Sequence, residues 1–185
     1  MTTLMERIGN ERRRLRNVRQ RMAAAIEAQA NGDEGFVPFY VAAADYIDET
    51  MQRLHKQDVK MGKMIVEKVD EVDDTVKQAL KELDDRLEGA KDHLKPFLAA
   101  RDALRERGVE TLEDFEAAAK KYSDFIVANM GHHGATNDLS AKLFELADWE
   151  YMAGISDEQS AQEERLFNQV VDTMPEGVEE PAESP

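Results

Sequence analysis

Four long stretches of this sequence place apolar residues at three- and four-residue steps, the spacing that lines one face of an α-helix. They run from about Thr3 to Ala30, from near Pro38 to about residue 68, from about residue 76 to Arg107, and from Thr111 to about Phe144. Stretches that alternate apolar and polar residues, as half-buried strands do, are missing. The pattern therefore predicts an all-α fold.

The breaks between these stretches are short. Asn31–Gly35 and Gly108 supply residues suited to the end of a helix, and the charged segment Val69–Thr75 reads as a turn. After Gly154, Ser156 is placed to cap a short last helix that ends near Val171. Long helices with short connections favour antiparallel neighbours. We therefore predict an antiparallel up-down four-helix bundle, with a short C-terminal fifth helix packed across one end.

Length and composition are those of one domain. With 185 residues, of which 42% are hydrophobic, the chain is long enough to bury a substantial core. We expect a single domain over residues 1–172. The remainder, residues 173–185, is rich in proline and glutamate and is predicted to be a disordered acidic tail.

Composition also excludes several classes of function. Without cysteine there are no disulfides, thiolate catalysis or cysteine-ligated metals. No apolar run is long enough for a membrane span, and no secretory signal is recognised at the N-terminus, so a cytoplasmic location is expected. The net charge of −15 argues against general nucleic-acid binding. Phosphate-binding loops and nucleophile elbows are absent, so the sequence predicts no particular reaction.

The charge is unevenly distributed. Six arginines lie between Arg12 and Arg21, in an otherwise acidic chain. One interpretation is that this basic helix packs beside acidic helices of the same bundle. The other is that the Arg12–Arg21 strip faces an acidic partner, whether a protein, a nucleic acid or a lipid surface.

Two pairs of histidine and acid form the candidate metal site. His133 and Asp138 are separated by four residues, and His55 precedes Asp58 by three. On a helix such spacings place an imidazole and a carboxylate about one turn apart, where both can bind one metal ion. Glu11, in the first helix, is a further possible ligand.

These segments resemble the hemerythrin-like, or HHE cation-binding, family. The resemblance rests on Leu54-His55-Lys56-Gln57-Asp58 in the second helix and on His132-His133 with Asp138 in the fourth. It implies a four-helix bundle that holds non-haem iron and senses or handles dioxygen, peroxide or iron. The implied ligands are His55, Asp58, His133, Asp138 and Glu11. The third helix offers only His93, and the family's full site needs more than this chain's four histidines, so an incomplete site is implied.

A metal-free interpretation stands beside this one. His55 can be a hydrogen-bonded histidine at the edge of the apolar stripe, Asp58 can belong to a solvated face, and His133 can face inward without a ligand role. The chain is then a structural or interaction module of the same ancestry that has lost its cofactor.

Overall fold

The computed structural model describes residues 4–129 and 134–178. Within these ranges it contains no strand, so the prediction of an all-α fold is confirmed. A single turn of 3₁₀-helix, Gly108–Thr111, joins α3 to α4. The α-helices are α1 (Leu4–Ala28), α2 (Phe36–Lys68), α3 (Asp74–Arg107), α4 (Leu112–Asn129), α5 (Gly134–Leu143), α6 (Leu146–Ala153) and α7 (Asp157–Asp172).

Capping residues account for the ends of α3 and for the start of α7. The Asp73 carboxylate accepts a hydrogen bond from the backbone N–H of Val76 and so caps α3. The hydroxyl of Ser156 accepts in the same way from Gln159 and caps α7, as predicted. Gly108 follows the last residue of α3 as its C-cap, and its φ of 60° is positive, a conformation that glycine tolerates.

The segment that was predicted to form the fourth helix contains α4 and α5. α4 ends at Asn129 and α5 begins at Gly134, while residues 130–133 lie outside the described ranges. The short helix α6 was not predicted from the sequence. It begins with a capping box, in which Glu145 and Asp148 each bond the other's backbone N–H.

The larger apolar core unites α1, α2, α3, α4 and α7. Its aromatic side chains pack closely, with ring centroids 5.0 Å apart for Phe97 and Tyr122 and 4.9 Å apart for Tyr40 and Phe115. Burial of such rings supplies most of the hydrophobic stabilisation of a domain this size. Its largest fully buried side chains are Tyr40, Tyr46, Tyr122, Phe39, Phe97, Phe115, Met22, Ile47, Leu104, Leu112 and Val18.

The second core lies toward the C-terminal end of α2 and the N-terminal end of α3. Met61, Ile65 and Leu83 are buried there together with Phe144, which follows α5. Trp149 of α6 packs against Phe144, with ring centroids 5.4 Å apart. α5 and α6 therefore cover the end of the α2–α3 pair that the first core does not reach.

The last helix packs along α2, whereas the sequence predicted that it would pack across one end of the bundle. The rings of Tyr46 and Phe167 lie edge to face at 5.9 Å, and Arg53 is bonded to Glu163 one turn earlier in α7. Beyond α7, Met174 and Val178 also pack against the larger core. These two residues lie within the predicted tail, whereas residues 179–185 lie outside the described ranges.

Truncation separates the two parts of the tail. Ending the chain after Val178 should leave the thermal midpoint nearly unchanged, because the seven residues removed contain almost no apolar surface to bury. Ending it after Thr173 removes Met174 and Val178 from the core and should cost about 1–3 kcal/mol, or several degrees. Thermal unfolding followed by circular dichroism measures both. Equal midpoints for the two truncations would contradict a stabilising role for residues 174–178.

Candidate functional site

A polar segment of α2, residues 50–58, lies between the residues that α2 contributes to the two apolar cores. At its centre the side chain of Arg53 is only 3% exposed. Its Nε donates to Oε1 of Glu163 and its Nη2 to Oε2 of the same carboxylate at 3.1 Å. Nη1 lies 3.1 Å from Oε2 of Glu11 and donates to Oε1 of Gln57 at 3.3 Å. We call these four residues the Arg53 cluster.

The cluster joins three helices through one buried cation. Glu11 belongs to α1, Arg53 and Gln57 to α2, and Glu163 to α7. A buried guanidinium is tolerated only when it is paired and its donors are bonded, and the two-point contact with Glu163 meets that need. The positions of α1 and α7 on α2 are therefore tied to the same side chain.

Glu11 carries a second ion pair at the edge of the cluster. Its Oε1 lies 3.5 Å from Nε of Arg7, and Arg7 also donates to the backbone carbonyl of Ala153 at 2.7 Å. Burial raises the pKa of the Glu11 carboxyl, and repulsion by Glu163 acts in the same direction, against the attraction of Arg53 and Arg7. The net effect is a raised pKa.

A cleft of about 460 Å³ opens beside the cluster between α1, α6 and α7. Arg7, Asn10 and Arg14 line it from α1, opposite Ser160 and Glu164 of α7. Arg14 lies 3.8 Å from Glu164 and stacks over the ring of Phe167 at 5.5 Å. Charges of both signs therefore face one another across this cleft.

The predicted pair His55 and Asp58 lies on one side of α2, facing α1 and α3. Asp58 Oδ2 is 3.4 Å from Nη2 of Arg86. Burial raises the pKa of Asp58, against the opposing effects of Arg86, His55 and Arg12. The pKa of His55 is lowered by partial burial and by Lys91, while Asp58 acts in the opposite direction. The two side chains thus interact electrostatically with each other and with the nearby cations Arg86, Arg12 and Lys91.

The other predicted ligands do not join this pair within the described ranges. Asp138 is exposed on α5, and Glu11 is engaged by Arg7 and Arg53. His133 lies in residues 130–133, outside the described ranges. Over residues 4–129 and 134–178, no group of three or more histidines and acids is placed to hold a metal ion.

His93 has a local structural role. Its ring stacks on Phe125 with centroids 3.9 Å apart and planes inclined by 10°. Its Nδ1 lies 2.8 Å from the carbonyl oxygen of Gly89, where a protonated Nδ1 donates a hydrogen bond. The third-helix histidine therefore helps to join α3 to α4.

The Arg12–Arg21 strip is divided between interior and surface. Arg21 is buried and donates its Nε to Asn17 at 2.7 Å. Burial lowers the pKa of Arg19, which lies near Tyr122 of α4. Arg12, Arg13 and Arg16 are exposed. One part of the strip therefore packs within the fold, and the other part faces solvent.

Sequence reasoning missed Arg53 and Glu163, although both lie in register with apolar stripes. Arg53 is seven residues, or about two helical turns, beyond Tyr46 on the buried face of α2. Glu163 precedes Leu166, Phe167 and Val170 on the inward face of α7. A lone opposite charge within each of two apolar stripes is the signal that predicts such a buried pair.

The chain matches no protein-family model, no curated protein and no solved structure. None of the helices in the described ranges combines the length and apolar character that a membrane span requires.

Replacing Arg53 tests the cluster. Arg53→Met should destabilise the fold by about 3–5 kcal/mol, because it leaves the buried Glu163 carboxylate without its partner. The double variant Arg53→Met, Glu163→Met should recover part of that loss, since no buried charge remains at the pair. Arg105→Met is the matched control: its ion pair with Asp45 is exposed and should be worth less than about 1 kcal/mol. Urea unfolding measures the parent protein and the three variants, and equal losses for Arg53→Met and Arg105→Met would contradict a special contribution of the buried pair.

Glu11→Gln has a different expected effect. A carboxyl whose folded-state pKa is raised above its ordinary value of 4.5 contributes stability below that pH and loses it as pH rises through the raised pKa. The variant should therefore gain stability relative to the parent protein in the pH range above 4.5. Urea midpoints across this range test it, with Glu27→Gln on the exposed face of α1 as control. A relative loss with rising pH would show that attraction by the arginines dominates.

Proposed function

We propose that the protein is a metal-free helical interaction module, in which a guanidinium neutralises the carboxylates that converge between helices. Glu11 and Glu163 approach each other from α1 and α7, and Arg53 bonds both. Carboxylates gathered at a buried site need a cation, which is either a metal ion or a side chain. The single observation that carries the proposal is that Arg53 fills this role.

Positively charged side chains also lie near two of the predicted metal ligands, His55 and Asp58. Asp58 is paired with Arg86. Arg12 and Lys91 add positive charge near Asp58 and His55. A divalent cation placed beside His55 and Asp58 meets electrostatic repulsion from these side chains. The local charge therefore favours a structural pair over a metal site.

We further propose that the helices form an antiparallel bundle with α7 as its additional member. Ion pairs support this arrangement: Asp45 meets Arg105 at 2.6 Å, Asp48 meets Arg101 at 2.9 Å, and Asp58 meets Arg86. The partner's number falls along α3 as the residue number rises along α2, which is the register of two antiparallel helices. Such bundles present long, rigid faces to partners.

A hemerythrin-like metal protein is the second candidate function. The observation that favours it is the adjacency of His55 and Asp58 on α2, as the resemblance implies. It requires His133, and Asp138 or another acid, to complete a partial non-haem iron site that handles dioxygen, peroxide or iron.

Elemental analysis of untagged protein distinguishes the two functions. The interaction module predicts sub-stoichiometric iron, manganese and zinc, and a thermal midpoint that a chelator leaves unchanged, because metal binding to the native state is folding energy. Stoichiometric metal would overturn it, and its loss in His55→Ala and His133→Ala would establish the second candidate. His93→Ala is the matched control, since His93 is engaged by Phe125 and Gly89.

A further inference from the structure

A shallow apolar groove runs along the outer side of the α2–α3 pair, with a volume of about 420 Å³. Two of its valines are partly exposed, Val59 by 36% and Val66 by 45%. Its lining consists of Val59, Gly62, Lys63, Val66, Glu67, Leu80, Leu83, Asp84 and Leu87. The large apolar side chains at its base also belong to or pack against the second core.

Gly62 lines the groove at a point where α2 and α3 pack closely. A Cβ atom at this position would lie 3.0 Å from Cδ2 of Leu83, so the missing side chain lets α2 and α3 approach closely. Val59 and Val66 stand three residues before and four residues after Gly62 on the same helix face. Together they form an apolar strip two helical turns long with a low centre, the shape into which a further helix packs.

The charges beside the groove have no ion-pair partner among the described residues. Lys63, Glu67 and Asp84 are exposed, whereas neighbouring charges such as Lys81 and Asp85 are paired with each other. Two carboxylates and one ammonium group therefore border the apolar strip. Because the protein carries a net charge of −15 and two of these three groups are acidic, the border favours a positively charged partner.

We propose that the groove binds a cationic amphipathic helix of a partner protein; the inference rests on the proposed function of an interaction module. Apolar residues of that helix, at three- and four-residue steps, pack on Val59, Val66 and Leu83. Its lysines or arginines lie beside Glu67 and Asp84. A second copy of this chain is a poorer occupant, because two molecules each carrying −15 repel one another.

The binding test uses two synthetic peptides of identical composition, labelled for fluorescence anisotropy. One is an amphipathic helix with leucines at three- and four-residue steps flanked by lysines, and the other has the same residues in scrambled order. The ordered peptide should bind at least about tenfold more tightly than the scrambled one, because only an ordered stripe fits an apolar groove. Both peptides carry the same charge, so non-specific attraction to an acidic protein does not produce the difference.

Variants locate the binding surface. Val66→Glu should weaken binding of the ordered peptide by about tenfold or more, since it places a charge in the apolar strip. Val127→Glu is the matched control and should leave it unchanged, because Val127 is 65% exposed on α4 and does not line the groove. Circular dichroism of both variants verifies that the fold is retained.

Charge reversal tests the border. Glu67→Lys with Asp84→Lys should weaken binding several-fold, and Lys63→Glu should strengthen it. Glu113→Lys with Asp114→Lys changes the net charge by the same amount on exposed positions of α4 and serves as the control. If the control pair weakens binding as much as the groove pair, attraction is general and the proposal is overturned.

Three other results also overturn the groove proposal: equal binding of the two peptides, insensitivity to Val66→Glu, or a dimer in sedimentation that Val66→Glu abolishes. The last would assign the groove to a second copy. Metal content measured on the same samples keeps the two proposals distinct. Metal-free protein with no groove-dependent binding overturns only the groove, whereas stoichiometric metal with groove-dependent binding overturns only the metal-free module.

Discussion

The buried guanidinium of Arg53 constrains much of this fold. A charge that is 3% exposed requires partners with fixed geometry, and the chain supplies them from Glu163 and Glu11 on two other helices. Hydrophobic packing alone allows a short amphipathic helix several orientations, but a two-point bond to a buried carboxylate allows few. α7 accordingly runs along α2, where Phe167 meets Tyr46.

Arginines also pair with the carboxylates that were predicted to bind metal. The carboxylates that appear suited to metal in the sequence are next to arginines in the structure: Glu11 beside Arg7 and Arg53, and Asp58 beside Arg86. An arginine is always charged and offers five donors, so it satisfies a carboxylate without further ligands. The carboxylates paired in this way lie between helices, and the outer faces of the helices remain available for contacts. The groove at Gly62 lies on such a face.

The two apolar cores differ in the kinds of side chain that fill them. The larger one gathers aromatic residues from α2, α3, α4 and α7, whereas the second one combines aliphatic side chains and methionines with Phe144 and Trp149. Methionine and leucine adapt to irregular spaces more readily than stacked rings.

The sequence by itself determined the helical class and the limits of the first three helices, because periodic stripes and caps such as Asp73 and Ser156 act over a few residues. It also brought His55 and Asp58 together, since three residues on a helix span about one turn. Only the tertiary structure decided which oppositely charged side chains form ion pairs. The pairing of Arg53 with Glu163 spans 110 residues, and the cationic surroundings of Asp58 come from separate helices. Local spacing fixes the face on which a residue lies, but its partner depends on how whole helices pack.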